Sequence, residues 1–222
     1  MTPLAIAGLT VDAEPMAVVL GVAGAAWGIA ADRIGARWPA HDDGSVRAVD
    51  WRTMVVAVLG GASLGALPLR VADPGQVLLF GGYFVALTLL LATDLDQRLL
   101  PDLITLPLVA ITLVAAVAGW SPLVAGQLGM AALAAVAIPG FLFAVSIPFG
   151  EGAIGIGDLK LLISVGLLTG LSRSIAGLVV GALAAGVVIG LLLVLRQVTL
   201  RTYIPFGPFL IIGAYWAVLV NL

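Results

Sequence analysis

The chain has 222 residues, ten Lys and Arg against twelve Asp and Glu, and is 62% hydrophobic but only 10% charged. A soluble domain carries about 25% charged residues, and no soluble fold of this length could bury so much apolar surface, so the solvent for most of the chain is lipid. The absence of cysteine, with His41 the single histidine, excludes disulfides, thiolate nucleophiles, cysteine-held zinc and a paired-histidine metalloprotease site.

The expected fold is all-α, a polytopic membrane protein of about eight transmembrane helices in one domain, 1–222. The first fifteen residues, MTPLAIAGLTVDAEP, lack a basic stretch and carry Asp12 and Glu14; they predict a short extracytoplasmic tail rather than a secretory signal. Crossing the hydrocarbon core takes about 20 mostly apolar residues. Segments approaching this lie at about 16–34, 53–69, 76–94, 102–120, 123–148, 157–171, 174–195 and 205–221. The sixth is short and starts among glycines, which suits irregular backbone facing a cavity. The glycine clusters GGASLG (60–65) and GALAAG (181–186) predict close helix packing. The only sizeable polar stretch, about 35–52, is expected as a cytoplasmic loop, with His41 an ordinary member of it.

Orientation follows from the basic residues. With eight spans and both termini extracytoplasmic, Arg33, Arg37, Arg47, Arg52, Arg98, Lys160, Arg196 and Arg201 fall on the cytoplasmic side. Arg70 and Arg173 alone fall outside, and the reverse orientation would invert the positive-inside bias. So few basic residues leave no phosphate-binding surface, and no nucleic-acid partner is expected.

Charges within a span cost roughly 2.5–3.5 kcal/mol at its centre, so their positions carry information. Asp94 closes the third predicted span after VALTLLLAT, and Asp158 opens the sixth after GIG. Both fall at the cytoplasmic membrane edge, which suggests a facing pair. Two carboxyls a few ångströms apart share one proton. The ionised one can then take a proton from water while the protonated one polarises a peptide carbonyl. Helix capping offers another role for Asp158 and Asp102, which sit at helix starts. Asp94 sits at a helix end, where the dipole disfavours an acid. Asp96, two residues on, points to a different face.

Residues 151–161, EGAIGIGDLKL, resemble the GxGD signature of the bacterial prepilin peptidases, membrane aspartyl proteases. Residues 94–107, DLDQRLLPDLITLP, are similar to that family's other signature, and 204–214, IPFGPFLIIGA, to its C-terminal segment. The first span and its exit, GVAGAAWGIAADRIGARWP, are loosely similar. The resemblance implies a catalytic pair Asp94 and Asp158, with Gly155 and Gly157 letting substrate backbone approach Asp158. Lys160 matches the motif lysine and would equally serve as a snorkelling anchor. For Asp102, N-capping of the fourth helix is the preferred role. Glu151 matches the motif or is a solvated loop acid. The resemblance also implies no cofactor, an inner-membrane location, prepilin or pseudopilin substrates, and a pilus or type II secretion machinery as the setting. Longer members carry a cysteine-rich zinc domain between the first two spans and N-methylate the trimmed pilin; the 35–52 interval has no cysteine, so a peptidase-only form without zinc is expected. A substrate helix would lie beside the third and sixth spans. A proton relay in a small transporter and a non-catalytic assembly scaffold are the rival readings.

Overall fold

The computed structural model describes residues 4–6, 9–41, 44–150, 154–199 and 205–220. Seven α-helices make up the body: α1 (Ala13–Gly35), α2 (Trp51–Ala66), α3 (Pro74–Gln97), α4 (Asp102–Val117), α5 (Leu128–Ser146), α6 (Ile156–Val194) and α7 (Gly207–Leu219). Short 3₁₀ turns, Leu67–Leu69 and Ile147–Phe149, follow α2 and α5. Among the described residues the one departure from an all-helical architecture is small: Leu4–Ile6 pairs antiparallel with Leu9–Val11 ahead of α1, in the stretch expected as a plain tail.

Five stretches are long and apolar enough to cross a membrane, at Ala13–Gly35, Trp51–Leu69, Pro74–Gln97, Leu128–Ser146 and Ile156–Val194, while α4 and α7 are shorter apolar helices. They mark the chain as an integral membrane protein. The sixth and seventh predicted spans lie in one continuous element, α6, interrupted at Gly170 (φ 75, ψ 178). No side-chain-bearing residue adopts that conformation cheaply. The break is closed locally, with the Ser174 hydroxyl donating to the Gly170 carbonyl at 2.6 Å and lying 2.9 Å from Thr169 Oγ1.

The helices sort into two groups. α1, α2 and α3 pack on one another, while α6 is the centre on which α4, α5 and α7 pack; α7 also reaches α3. Small residues set the close spacings, as expected: at Gly28 of α1 a side chain would begin 2.5 Å from the Val56 carbonyl oxygen of α2. The core that joins the groups is built on Phe80, Phe84, Leu87, Leu90 and Leu91 of α3 with Leu161, Leu168 and Ile211. Phe84 and Tyr215 meet edge to face, centroids 5.0 Å apart. Large apolar side chains such as Val18, Leu78, Val136 and Val187 stay exposed on the outside of the bundle, as lipid contact requires.

Candidate active site

α3 is started by Asp73, whose carboxylate accepts from the Gln76 N–H, with Pro74 at the first turn, and it stops at Arg98, which takes the left-handed conformation (φ 58). That stop places Asp94 in the last turn of α3, buried at 4% exposure. α6 starts from Gly155 as its N-cap. Asp158, in the first turn, has a hydrogen bond with the Gly155 backbone, the reach-back of an acid at the third helical position.

The two acids come from different groups of helices and meet. Both line one cavity of about 190 Å³, with Arg98, Leu99 and Leu100 from the α3–α4 connection, Gly155–Gly157 from the start of α6, and Pro205–Gly207 from the start of α7. Asp94 Oδ2 is buried without a hydrogen-bond partner among the described residues. What holds an acid at the C-terminal end of α3 is the N-terminus of another helix: Gly207, the first residue of α7, lies against the Asp94 carboxyl, and a helix N-terminus favours negative charge.

The remaining site residues find partners inside the chain. At Gly157, which lines the cavity, a side chain would begin 2.7 Å from Leu100 Cβ, so the close approach of the α3–α4 connection admits only glycine there. At Gly155 the nearest atom to such a side chain is the Asp158 carboxyl oxygen, at 3.1 Å. Asp102 is not the N-cap of α4. Pro101 holds that position in extended conformation, and Asp102 is the first helical residue. Its carboxylate instead receives Lys160 Nζ at 2.6 Å, tying the starts of α4 and α6 together. Glu151 lies outside the described residues.

Asp96 faces away from the cavity, as expected, into an ionic cluster that the sequence reading did not anticipate. Arg47 of the polar loop bonds Asp32 of α1, Asp50 at 2.5 Å and Asp96 at 2.5 Å. Arg33 pairs with Asp32, Arg52 lies 3.3 Å from Asp96, and Thr53 Oγ1 donates to Asp32 at 2.7 Å. His41 is thus more than a solvated loop residue, its Nε2 lying 2.9 Å from Asp96 Oδ2. Gln97 donates to the Pro39 carbonyl at 2.5 Å. The loop is thereby clamped onto the end of α3, one turn from Asp94.

Gly207, Pro205, Phe206 and Leu100 are site residues to which sequence reasoning gave no role. The Gly-Pro pair opening the last helix was the available signal for Gly207. Among the described residues no cluster of three or more His, Cys, Asp and Glu suited to a metal occurs.

Comparison with known proteins bears on the same segment. Residues 82–195 match the type IV leader peptidase family. The prepilin leader peptidase/N-methyltransferase of Burkholderia pseudomallei (strain K96243) is 32% identical over 191 residues, 81% of this chain and 53% of the relative. That of Pseudomonas putida is 33% identical over 202 residues, 84% and 60%, and that of Pseudomonas aeruginosa 29% over 155, 65% and 49%. The chain spans about half the length of the curated relatives it matches. No solved structure matches. The family match covers Asp94 and Asp158, the C-terminal part of α3 and all of α6, and the chain belongs to the type IV leader peptidase family.

Proposed function

We propose that the chain is an aspartic endopeptidase of the bacterial inner membrane that cuts leader peptides from type IV prepilins or pseudopilins. The observation that carries this reading is the convergence of Asp94 and Asp158 in one cavity. The reaction follows from two carboxyls with one proton between them. The ionised carboxylate takes a proton from a water in the cavity, and the hydroxide equivalent attacks the scissile carbonyl. The partner acid donates its proton to the developing oxyanion. Collapse of the tetrahedral species expels the amine, which is protonated by the carboxyl that received the water's proton. Asp94 and Asp158 are the catalytic residues; Gly155 and Gly157 shape the cavity, and the Lys160–Asp102 pair ties together the starts of α4 and α6 nearby.

The cavity lies at the cytoplasmic edge of an eight-span arrangement in which α6 contributes one span on each side of Gly170 and both termini are extracytoplasmic. Arg33, Arg47, Arg52, Arg98 and Lys160 lie at the same end of the helices as the cavity, whereas Arg70 and Arg173 lie at the far end, in keeping with the positive-inside bias. A pilus or type II secretion machinery is the proposed setting. Leader cleavage alone is proposed, since the methyltransferase in the relatives' names has no cysteine-rich counterpart among residues 35–52.

The test is a pair of single isosteric changes. Asp94→Asn and Asp158→Asn, each in phospholipid vesicles with a type IV prepilin, should leave uncut precursor at normal protein levels. Processing that survives either change removes the two-acid mechanism.

A further inference from the structure

A cavity of about 350 Å³ lies away from the acids in the groove between α3 and α4, with Leu168 of α6 beneath it. Leu79, Gly82 and Ala86 form one wall and Ile104, Leu108 and Ile111 the other. The two hydroxyls bordering it are satisfied internally: Tyr83 with Ser164 at 3.1 Å, and Thr112 donating to the Leu108 carbonyl at 2.9 Å. Nothing in the groove calls for water or a headgroup, so its occupant is apolar.

The groove also points at the acids. Positions 79, 83, 86, 90 and 94 follow helical spacing along one face of α3, so Asp94 lies on the groove's side of that helix, about two turns beyond Ala86. On α4 the wall begins at Leu103, one turn beyond Leu100 of the acid cavity. Asp94 Oδ2, buried and unpartnered among the described residues, lines the acid cavity beyond that end of the groove.

Gly82 and Ala86 are four residues apart, a spacing that lets helix backbones approach closely in membranes. Elsewhere the chain uses this spacing against its own helices. Gly24 and Gly28 of α1 lie on Gly60 and Val56 of α2, and Gly177 and Gly181 of α6 lie on Gly213 and Phe209 of α7. At Gly82 nothing of the chain lies within 4 Å of where a side chain would begin.

We propose that this groove seats the apolar helix of the membrane-anchored substrate, admitted sideways from lipid between α3 and α4. The segment just ahead of that helix then reaches Asp94 and Asp158. The proposal rests on the peptidase reading above, and it replaces α6 with α4 as the second wall beside the substrate. An acyl chain could also fill apolar space, but a small-residue seat matches a helix backbone, and a helix lying along α3 delivers its own end to the depth of the acids.

Two substrates separate the possibilities: a full type IV prepilin in phospholipid vesicles, and a soluble peptide spanning the leader and the few residues after the cut. Gly82→Leu fills the seat, and Gly190→Leu, also in open space on α6, adds the same bulk elsewhere. The expected result is a loss of at least tenfold in kcat/KM, carried by KM, for Gly82→Leu on the full prepilin. Its cleavage of the peptide and both activities of Gly190→Leu should match the parent protein. A cysteine at position 82, the only one in the chain, should form a disulfide with a cysteine placed in the prepilin helix. Normal cleavage of the full prepilin by Gly82→Leu, or equal loss on both substrates, overturns the groove while leaving the peptidase reading standing. A parent protein that cuts neither substrate removes both.

Discussion

Gly207→Ala is the sharpest test of the site's construction. The added methyl would begin 2.5 Å from Asp94 Oδ2 and 2.7 Å from its Cγ, against 3.4 Å for ordinary contact. Either the carboxyl or the start of α7 must therefore move by roughly 1 Å, and a misplacement of that size can cost about 10²-fold in rate. Alanine is the better helix former by about 0.5–1 kcal/mol, but overpacking costs about 1–3 kcal/mol, so the net effect on stability is a loss. Steady-state cleavage of prepilin in vesicles, with thermal unfolding in detergent alongside, should show kcat falling about 10²-fold at near-normal KM, and a lower unfolding midpoint. A variant with parental kcat would mean that the Asp94 carboxyl is not held by α7, and the account of its placement fails.

Arg47→Met should be the most destabilising single change in the polar loop, because Asp32 and Asp96 are buried at 0% and 2% side-chain exposure. Breaking a buried pair costs about 3–5 kcal/mol, and the remaining partners Arg33 and Arg52 put the expected value at the low end; denaturation in detergent reads it out. Lys160→Met removes a pair whose acid is 60% exposed, so unfolding should shift by less than about 1 kcal/mol and prepilin cleavage should persist. Gly170→Ala forces a side chain into φ 75 and should cost about 1–2 kcal/mol without altering KM. The pH profile of kcat/KM should be bell-shaped, since the pair works with one proton; a flat acid limb would contradict proton sharing.

Much of the architecture was legible because lipid imposes a simple rule. Long apolar runs must be helices, and α1, α2, α3 and α5 lie within a few residues of the predicted spans. Gly170 was harder to place, since a single left-handed residue breaks α6 without the polar loop that separates other spans. Asp94 and Asp158, which line one cavity, stood out by their depth because charge in a span is costly, but it was the motif resemblance around 94–107 and 151–161 that singled them out as a pair. Asp102 misled because an acid in the first turn resembles a cap, whereas Pro101, extended and lacking an N–H, takes the position. The contacts of Gly157 with Leu100, of Gly207 with Asp94, and of Arg47 with three acids join distant parts of the chain. No local spacing encodes them.

The placement of the acids has a further consequence. Asp94 belongs to the group α1–α3 and Asp158 to the group centred on α6, and α3 and α6 have no extensive packing on each other among the described residues. Their alignment is carried by the apolar core that joins the groups, by the start of α7 at Asp94, by Leu100 against Gly157, and by buried hydroxyls within the bundle. Tyr83 bonds Ser164 across α3 and α6, and Tyr215 of α7 lies 2.9 Å from Thr88 Oγ1 of α3. Such bonds between membrane helices average about 0.6 kcal/mol, a small addition to the apolar core around them. Because Tyr83 also borders the groove between α3 and α4, a helix that wedges into that groove acts on the same join. On the proposed seat, substrate binding would therefore load the same Tyr83–Ser164 contact that links the helices carrying the two acids.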